Sequence, residues 1–167
     1  MRQSTFLTVP ILVVAGLVSW YHATAGEKEN LKWMSFDEGI VKAQKTNRKL
    51  LVDVYTDWCG WCKKMDAETY RDPAVRTYLE KHYVLVKLNA ESEKAFSYRD
   101  VRYTERELAG AFGIKGFPST IFLKPNGDPI TIFPGYADAA MFRNVVSFIA
   151  EDHYLTKEFD EYVSTMK

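Results

Sequence analysis

The chain alternates long apolar runs with segments of helical periodicity. Leu50-Leu51-Val52-Asp53-Val54-Tyr55 is a continuous β-prone run, and Tyr83 to Leu88 is a second. Runs of this length predict central strands covered on both faces. An acid in the middle of the first is unusual. Before it, Ser35 with Glu38 three residues on forms a capping box, which predicts a helix to about Lys45 with Phe36, Ile40 and Val41 among its buried positions. Between the strands, Lys63 to Thr69 holds good helix formers, and Asp72-Pro73 reads as an N-cap with proline at the first helical position. That second helix runs from Pro73 to Lys81. Residues 90–103 are charged and mixed and read as a surface insertion. Thr104 and Glu107 form another capping box, opening a short helix that Gly113 stops. Strand Ser119 to Leu123 and strand Ile130 to Phe133 flank the turn Pro125-Asn126-Gly127-Asp128 and predict a hairpin. Asp138 caps the last main helix, where Phe142, Val145, Val146 and Ile149 repeat on one face. Residues 151–167 extend this helix or add a short one.

The order is β-α-β, then α, then a hairpin and a closing α. Strands joined by helices pair in parallel, and the hairpin adds antiparallel strands to the same sheet. The expectation is a single α/β domain with a central mixed sheet flanked by helices.

The first 25 residues follow a different pattern. Met1-Arg2 starts positive, Phe6 to Trp20 is mostly apolar, and Ala23-Thr24-Ala25 supplies a small-x-small cleavage site. That is the order of a secretory signal peptide. A spanning helix needs about 20 apolar residues, and this run is shorter, so cleavage is favoured over an uncleaved anchor. Residues 26–34 are then a lead-in, 35–150 the main domain and 151–167 a C-terminal helical extension. Twenty-two basic and twenty-two acidic residues cancel over the 167-residue chain. There is no basic excess for nucleic acid and no acidic tail.

The chemistry lies in Cys59-Gly60-Trp61-Cys62, the only two cysteines of the chain. Export permits a structural disulfide, but loop-closure stabilisation is least for so small a ring. The spacing suits a pair that opens and closes. A structural zinc site needs four Cys or His ligands, and His82 and His153 are distant in sequence. A cysteine hydrolase needs a nearby base, and nothing local supplies one. A cysteine between a strand's end and a helix's start sits at the positive end of the helix dipole, which stabilises its thiolate. Cys59 is therefore read as the exposed, attacking thiol. Cys62, one turn in and more buried, resolves the mixed disulfide.

Taken in order, several segments resemble the thioredoxin superfamily. Asp53 to Lys63 is similar to its active-site strand and loop, and Lys87-Leu88-Asn89 to its next strand. Gly113 to Thr120 resembles the segment carrying its cis-proline. Asn126-Gly127 and Gly135 fall at its hairpin turn and following glycine. Asp57-Trp58-Cys59, Cys62-Lys63, Thr69 to Val75 and Pro118-Ser119-Thr120 resemble the C-terminal periplasmic domain of DsbD-type disulfide reductases and small exported proteins of that type. The resemblance implies a thioredoxin fold over about residues 35–150.

It also implies roles. Asp53 corresponds to the buried acid that moves a proton to or from Cys62, and burial raises a carboxyl pKa. Lys87 corresponds to the lysine beside that acid. Asp66 stands four residues after Cys62, on the same helix face, where reductase-type domains carry an acid near the active site. Pro118 is expected to be cis, leaving the Phe117 backbone to pair with an extended substrate. Trp58, Gly60 and Trp61 complete the substrate-binding surface. Tyr70, Tyr98 and Tyr103 carry no signal separable from packing.

The activity expected is thiol–disulfide oxidoreduction outside the cytoplasm, periplasmic by preference, on protein thiols and disulfides. No cofactor beyond the cysteine pair is expected. No multi-span membrane domain accompanies the domain in this sequence, so a separate membrane electron donor is expected, and a monomer. An oxidase or isomerase, a non-catalytic binding or chaperone module, and a role in keeping haem-attachment cysteines reduced stand as alternatives. Gly-Trp between the cysteines does not fix the direction.

Overall fold

The computed structural model describes residues 30–165. The expected signal peptide, residues 1–25, lies outside them. Among the described residues, no helix is long and apolar enough to cross a membrane.

The main sheet is built from β1 (Lys49–Tyr55), β2 (Tyr83–Asn89), β5 (Ser119–Leu123) and β6 (Pro129–Pro134). Its strand order is β2-β1-β5-β6. β1 and β2 pair in parallel, while β5 and β6 are antiparallel to their neighbours. α2 (Gly60–Ala67) and α3 (Pro73–His82) connect β1 to β2. Asp72 caps α3 by accepting from the Ala74 and Val75 amides. α5 (Ala139–Ala150) lies under the same sheet face as α3, capped by Asp138.

β1 is buried along its centre, so its alternating side chains serve two cores. Leu51 joins Met65, Leu79, Leu85, Phe122 and Phe142 on the α3/α5 side. Leu50, Val52 and Val54 join Val84, Val86, Leu88 and Ile121 on the other. α1 (Phe36–Thr46) covers that second face. It sits close because Gly39 has no side chain: a Cβ there would lie 2.3 Å from a Val86 methyl.

This close approach corrects one expectation. Val41 is 48% exposed, not buried. The helix turns Phe36, Gly39 and Ala43 to the sheet, with Ile40 half-buried, and position 41 falls on the outer side of that stripe.

A second correction concerns residues 90–103. They are more than a surface insertion. β3 (Ala95–Tyr98) and β4 (Val101–Thr104) form a separate hairpin. Arg99 and Asp100 both have positive φ, 52° and 63°, as a two-residue hairpin turn requires. Phe96 and Tyr98 point inward and pack on Phe36, with ring centroids 5.0 and 5.3 Å away. The hairpin therefore closes the second core. α4 (Glu105–Ala111) follows directly, with Thr104 and Glu107 exchanging capping bonds.

Beyond α5 the chain adds a 3-10 turn (His153–Leu155) and α6 (Phe159–Ser164), a short separate helix. Phe159 and Tyr162 pack on Phe148 at 5.3 Å.

Candidate active site

Cys59 is the N-cap of α2, and Cys62 lies in the first turn. The two form a disulfide with an S–S distance of 2.08 Å. The Cys62 amide donates to the Cys59 sulfur at 3.0 Å. The pair thus sits where free helix N–H groups and the dipole favour negative charge on sulfur.

The structure corrects the assignment of Cys59 as an exposed thiol. Cys59 is 4% exposed and Cys62 3%. In the closed disulfide the two cysteines are equally buried.

Two exposed tryptophans flank the pair, Trp58 at 67% and Trp61 at 57%. The Trp58 indole N–H donates to Glu91 at 2.9 Å, and its ring meets the Phe117 ring edge-on at 6.0 Å. Trp61 lies 5.2 Å from the Tyr136 ring, and the Lys64 ammonium covers both rings at 5.1 and 5.2 Å. Gly60 faces open space, since a Cβ there would touch nothing within 4 Å. Its lack of a side chain is not a steric requirement of the fold.

The Phe117–Pro118 peptide bond is cis. Gly135 N–H donates to Pro118 O at 2.8 Å, tying this loop to the end of β6. A groove of about 310 Å³ runs between Gly116-Phe117 on one side and Ile132, Pro134 and Gly135 on the other.

The polar half of the site comes from the sheet. Asp53 is 1% exposed. Its register partners are Lys87 on β2 and Thr120 on β5. Lys87, Asp53 and Thr120 therefore form one row across three strands. The Lys87 ammonium donates to Asp53 Oδ2, and to Asp66 Oδ1 at 2.6 Å. It is also surrounded by the rings of Trp33, Tyr55 and Tyr70, 4.8 to 5.4 Å from their centroids, in favourable cation–π range. With Trp33, Tyr70 and Arg71, Lys87 and Asp66 line a cleft of about 220 Å³.

Burial pushes the Asp53 carboxyl above its ordinary range, and Lys87 only partly offsets this. Burial alone lowers the Lys87 pKa, but attraction to Asp53 and hydrogen bonds to both acids raise it on balance. Burial also pushes the Tyr70 phenol well up, with the Asp53 charge adding to it.

Three positions that sequence reasoning passed over thus belong to the site. Thr120 carries a signal only once the β1–β5 register is known. Tyr70 lies four residues after Asp66, but α2 ends at Ala67, so helical spacing alone does not place its ring. Glu91 comes from the loop after β2, with no motif of its own.

Residues 36–150 match the family model for a thioredoxin-like domain. The chain belongs to the thioredoxin-like family. With its Cys59–Cys62 pair it is a thioredoxin-like thiol–disulfide oxidoreductase domain. It is 29% identical over 128 residues to the thiol:disulfide interchange protein DsbD of Ralstonia nicotianae, covering 71% of this chain and 19% of that one. It is 31% identical over 103 residues to the protein disulfide isomerase-like 5-2 of Oryza sativa, covering 62% and 21%. The chain thus spans about a fifth of the length of these relatives. Among solved structures, a thioredoxin-fold protein from Helicobacter pylori superposes with a TM-score of 0.63 at 19% identity, covering 72% of this chain and 80% of that one. DsbH oxidoreductase does so at 0.58 and 20%, covering 73% and 85%. At these identities the two structures support the thioredoxin-like fold alone.

Proposed function

We propose that this chain is an exported disulfide reductase that draws electrons from a separate membrane donor and passes them to protein disulfides through Cys59 and Cys62. The observation that carries the reading is the closed Cys59–Cys62 disulfide capping α2, flanked by exposed aromatic rings and the cis-proline loop. The reductive direction rests on the likeness to DsbD.

In the reduced protein the Cys59 thiolate attacks one sulfur of a substrate disulfide. The other substrate sulfur leaves as a thiolate and takes up a proton. Cys62 gives its proton to Asp53 and attacks the Cys59 sulfur. The substrate's second sulfur then leaves, and the intramolecular disulfide reforms. Two electrons pass from the dithiol to the substrate. Trp58, Trp61 and the Phe117-Pro118 loop hold an extended substrate segment beside the disulfide.

Equilibration in glutathione buffers, followed by tryptophan fluorescence and thiol alkylation, tests the direction. A reductase has a midpoint near about −270 mV, whereas one near about −120 mV marks an oxidase. Export is tested separately by the mass of the chain recovered from outside the cytoplasm. A chain starting at Gly26 supports cleavage, and an intact cytoplasmic chain overturns export.

A further inference from the structure

Asp53 has two carboxylate oxygens, and only one is accounted for. Oδ2 accepts from Lys87. Oδ1 is buried without a hydrogen-bond partner among the described residues, and so are the Tyr70 hydroxyl and the Thr120 hydroxyl. Leaving a buried polar atom unpaired carries the full cost of stripping it of water. Three such atoms around one carboxylate are rarely accidental.

Their placement is fixed by the fold. Thr120 is the β5 register partner of Asp53 and is fully buried. Tyr70 enters from the turn after α2, where its amide bonds Met65 O at 3.0 Å. Its ring is held edge-on between Trp33 at 5.0 Å and Phe142 at 5.5 Å. The Lys87 ammonium that binds Asp53 Oδ2 also lies 5.4 Å from the Tyr70 ring centroid, which places the phenol beside the carboxylate, whose charge adds to the upward push on the Tyr70 phenol. A phenol buried among aromatic rings has no packing need for its oxygen; phenylalanine fills the same volume.

We propose that Tyr70 and Thr120 are positioning residues for Asp53, supplying hydrogen bonds to Oδ1 whenever the carboxylate is ionised. The bonds run directly or through one bridging water, and end on the same atom. This rests on the reading of Asp53 as the proton acceptor for Cys62. Lys87 binds one oxygen and the hydroxyl pair binds the other, so the ionised acid is held from both sides of its strand. The charged and titratable groups facing Asp53 are Lys87 from β2, Asp66 from α2, Tyr70 from the following turn and Tyr55 on β1 itself. Of these, Tyr70 donates a hydrogen bond without carrying a charge at neutral pH. Its removal therefore changes the stabilisation of the carboxylate without changing the net charge of the site.

The test is a ¹³C carboxyl NMR titration of Asp53 in the full oxidised chain, with and without Tyr70→Phe. A hydrogen bond to a charged group is strong enough to move a carboxyl pKa by about one unit. The expected result is an Asp53 midpoint about one pH unit higher in Tyr70→Phe. Thr120→Val, which keeps the side-chain shape, shifts it the same way by less. The acid limb of the disulfide-reduction rate moves with the midpoint. An unchanged Asp53 midpoint in the folded variants overturns the proposal, even where thermal stability drops. Should Tyr70→Phe fail to fold, Thr120→Val alone decides, by shift or no shift. A wild-type chain that titrates as expected but never turns over disulfides overturns the functional reading and leaves the positioning result standing.

Discussion

The two faces of the central sheet are built from the same three strands and have opposite chemistry. One face presents Leu50, Val52 and Val54 of β1 beside Val84, Val86 and Leu88 of β2 and Ile121 and Leu123 of β5. It contains no ionisable group in that span. The other begins in the same way, with Leu51, Leu85 and Phe122, and then places Lys87, Asp53 and Thr120 in the next row. A one-residue step along each strand changes a dry core into a charged site. The apolar face carries stability, and the mixed face gives some of it up to keep a carboxylate and an ammonium where water is scarce. The disulfide stands at the end of β1 reached by that row.

The comparison breaks most severely if an acid is moved to the wrong face. Val52→Asp puts a carboxylate on the apolar side with no partner in reach. Burying an unpaired charge costs several kcal/mol even after relaxation, a large share of a small domain's total stability. Circular dichroism should show no cooperative unfolding transition for this variant at neutral pH. A folded Val52→Asp protein would mean the two faces are equally tolerant.

Next in size is truncation on the apolar face. Phe36 is 1% exposed and touches Phe96 and Tyr98 of the hairpin. Phe36→Ala should destabilise by about 3–5 kcal/mol in urea unfolding and leave the redox midpoint unchanged. A shifted midpoint would show that the faces are coupled.

Much of this layout was legible in the sequence. The continuous runs at residues 50–55 and 83–88 identified two buried strands, and Asp53 stood out as an acid within the first. The capping pairs Ser35/Glu38 and Thr104/Glu107 placed two helix starts, both present. The hairpin at 95–104 was hidden because its strands are four residues each, and Arg99-Asp100 is not a glycine turn. Its alternation of Phe96 and Tyr98 with Ala95 and Ser97 is the period-2 signal, carried by too few residues to outweigh the surrounding charge. Val41 was misplaced because the stripe facing the sheet depends on Gly39, a residue with no hydrophobic weight. Thr120 and Tyr70 stayed hidden because cross-strand register and a turn after a helix are tertiary facts.

On the mixed face the largest effect belongs to Lys87. Lys87→Met keeps length and apolar packing against Trp33, Tyr55 and Tyr70 but removes the partner of a buried acid. The expected loss is about 3 kcal/mol at pH 8. It should shrink as pH falls, because Asp53 then takes up a proton and no longer needs a cation. Urea midpoints measured across pH check this. A loss independent of pH would assign Lys87 a packing role and separate it from Asp53.

The smallest effect, and the most informative about sign, is expected from Asp53→Asn. The folded carboxyl is held above its ordinary value, first by burial, while the unfolded one titrates near about 3.9. Below the unfolded value both states are protonated, and the neutral acid is comfortable in the core. As pH rises past it, the unfolded chain ionises first and gains free energy that the folded chain cannot match. Stability tied to the neutral form is lost progressively until pH passes the folded value, at about 1.4 kcal/mol for each unit separating the two. The wild-type protein should therefore lose stability between the two midpoints, and Asp53→Asn should not show this decline. Asparagine still leaves Lys87 its bond to Asp66, so the variant should fold. If the oxidised wild-type and Asp53→Asn proteins have parallel stability–pH curves, Asp53 is ionised at no cost in the folded state. The mixed face would then be as comfortable as the apolar one, and the acid could not act as the raised-pKa proton acceptor that resolution of a mixed disulfide by Cys62 calls for.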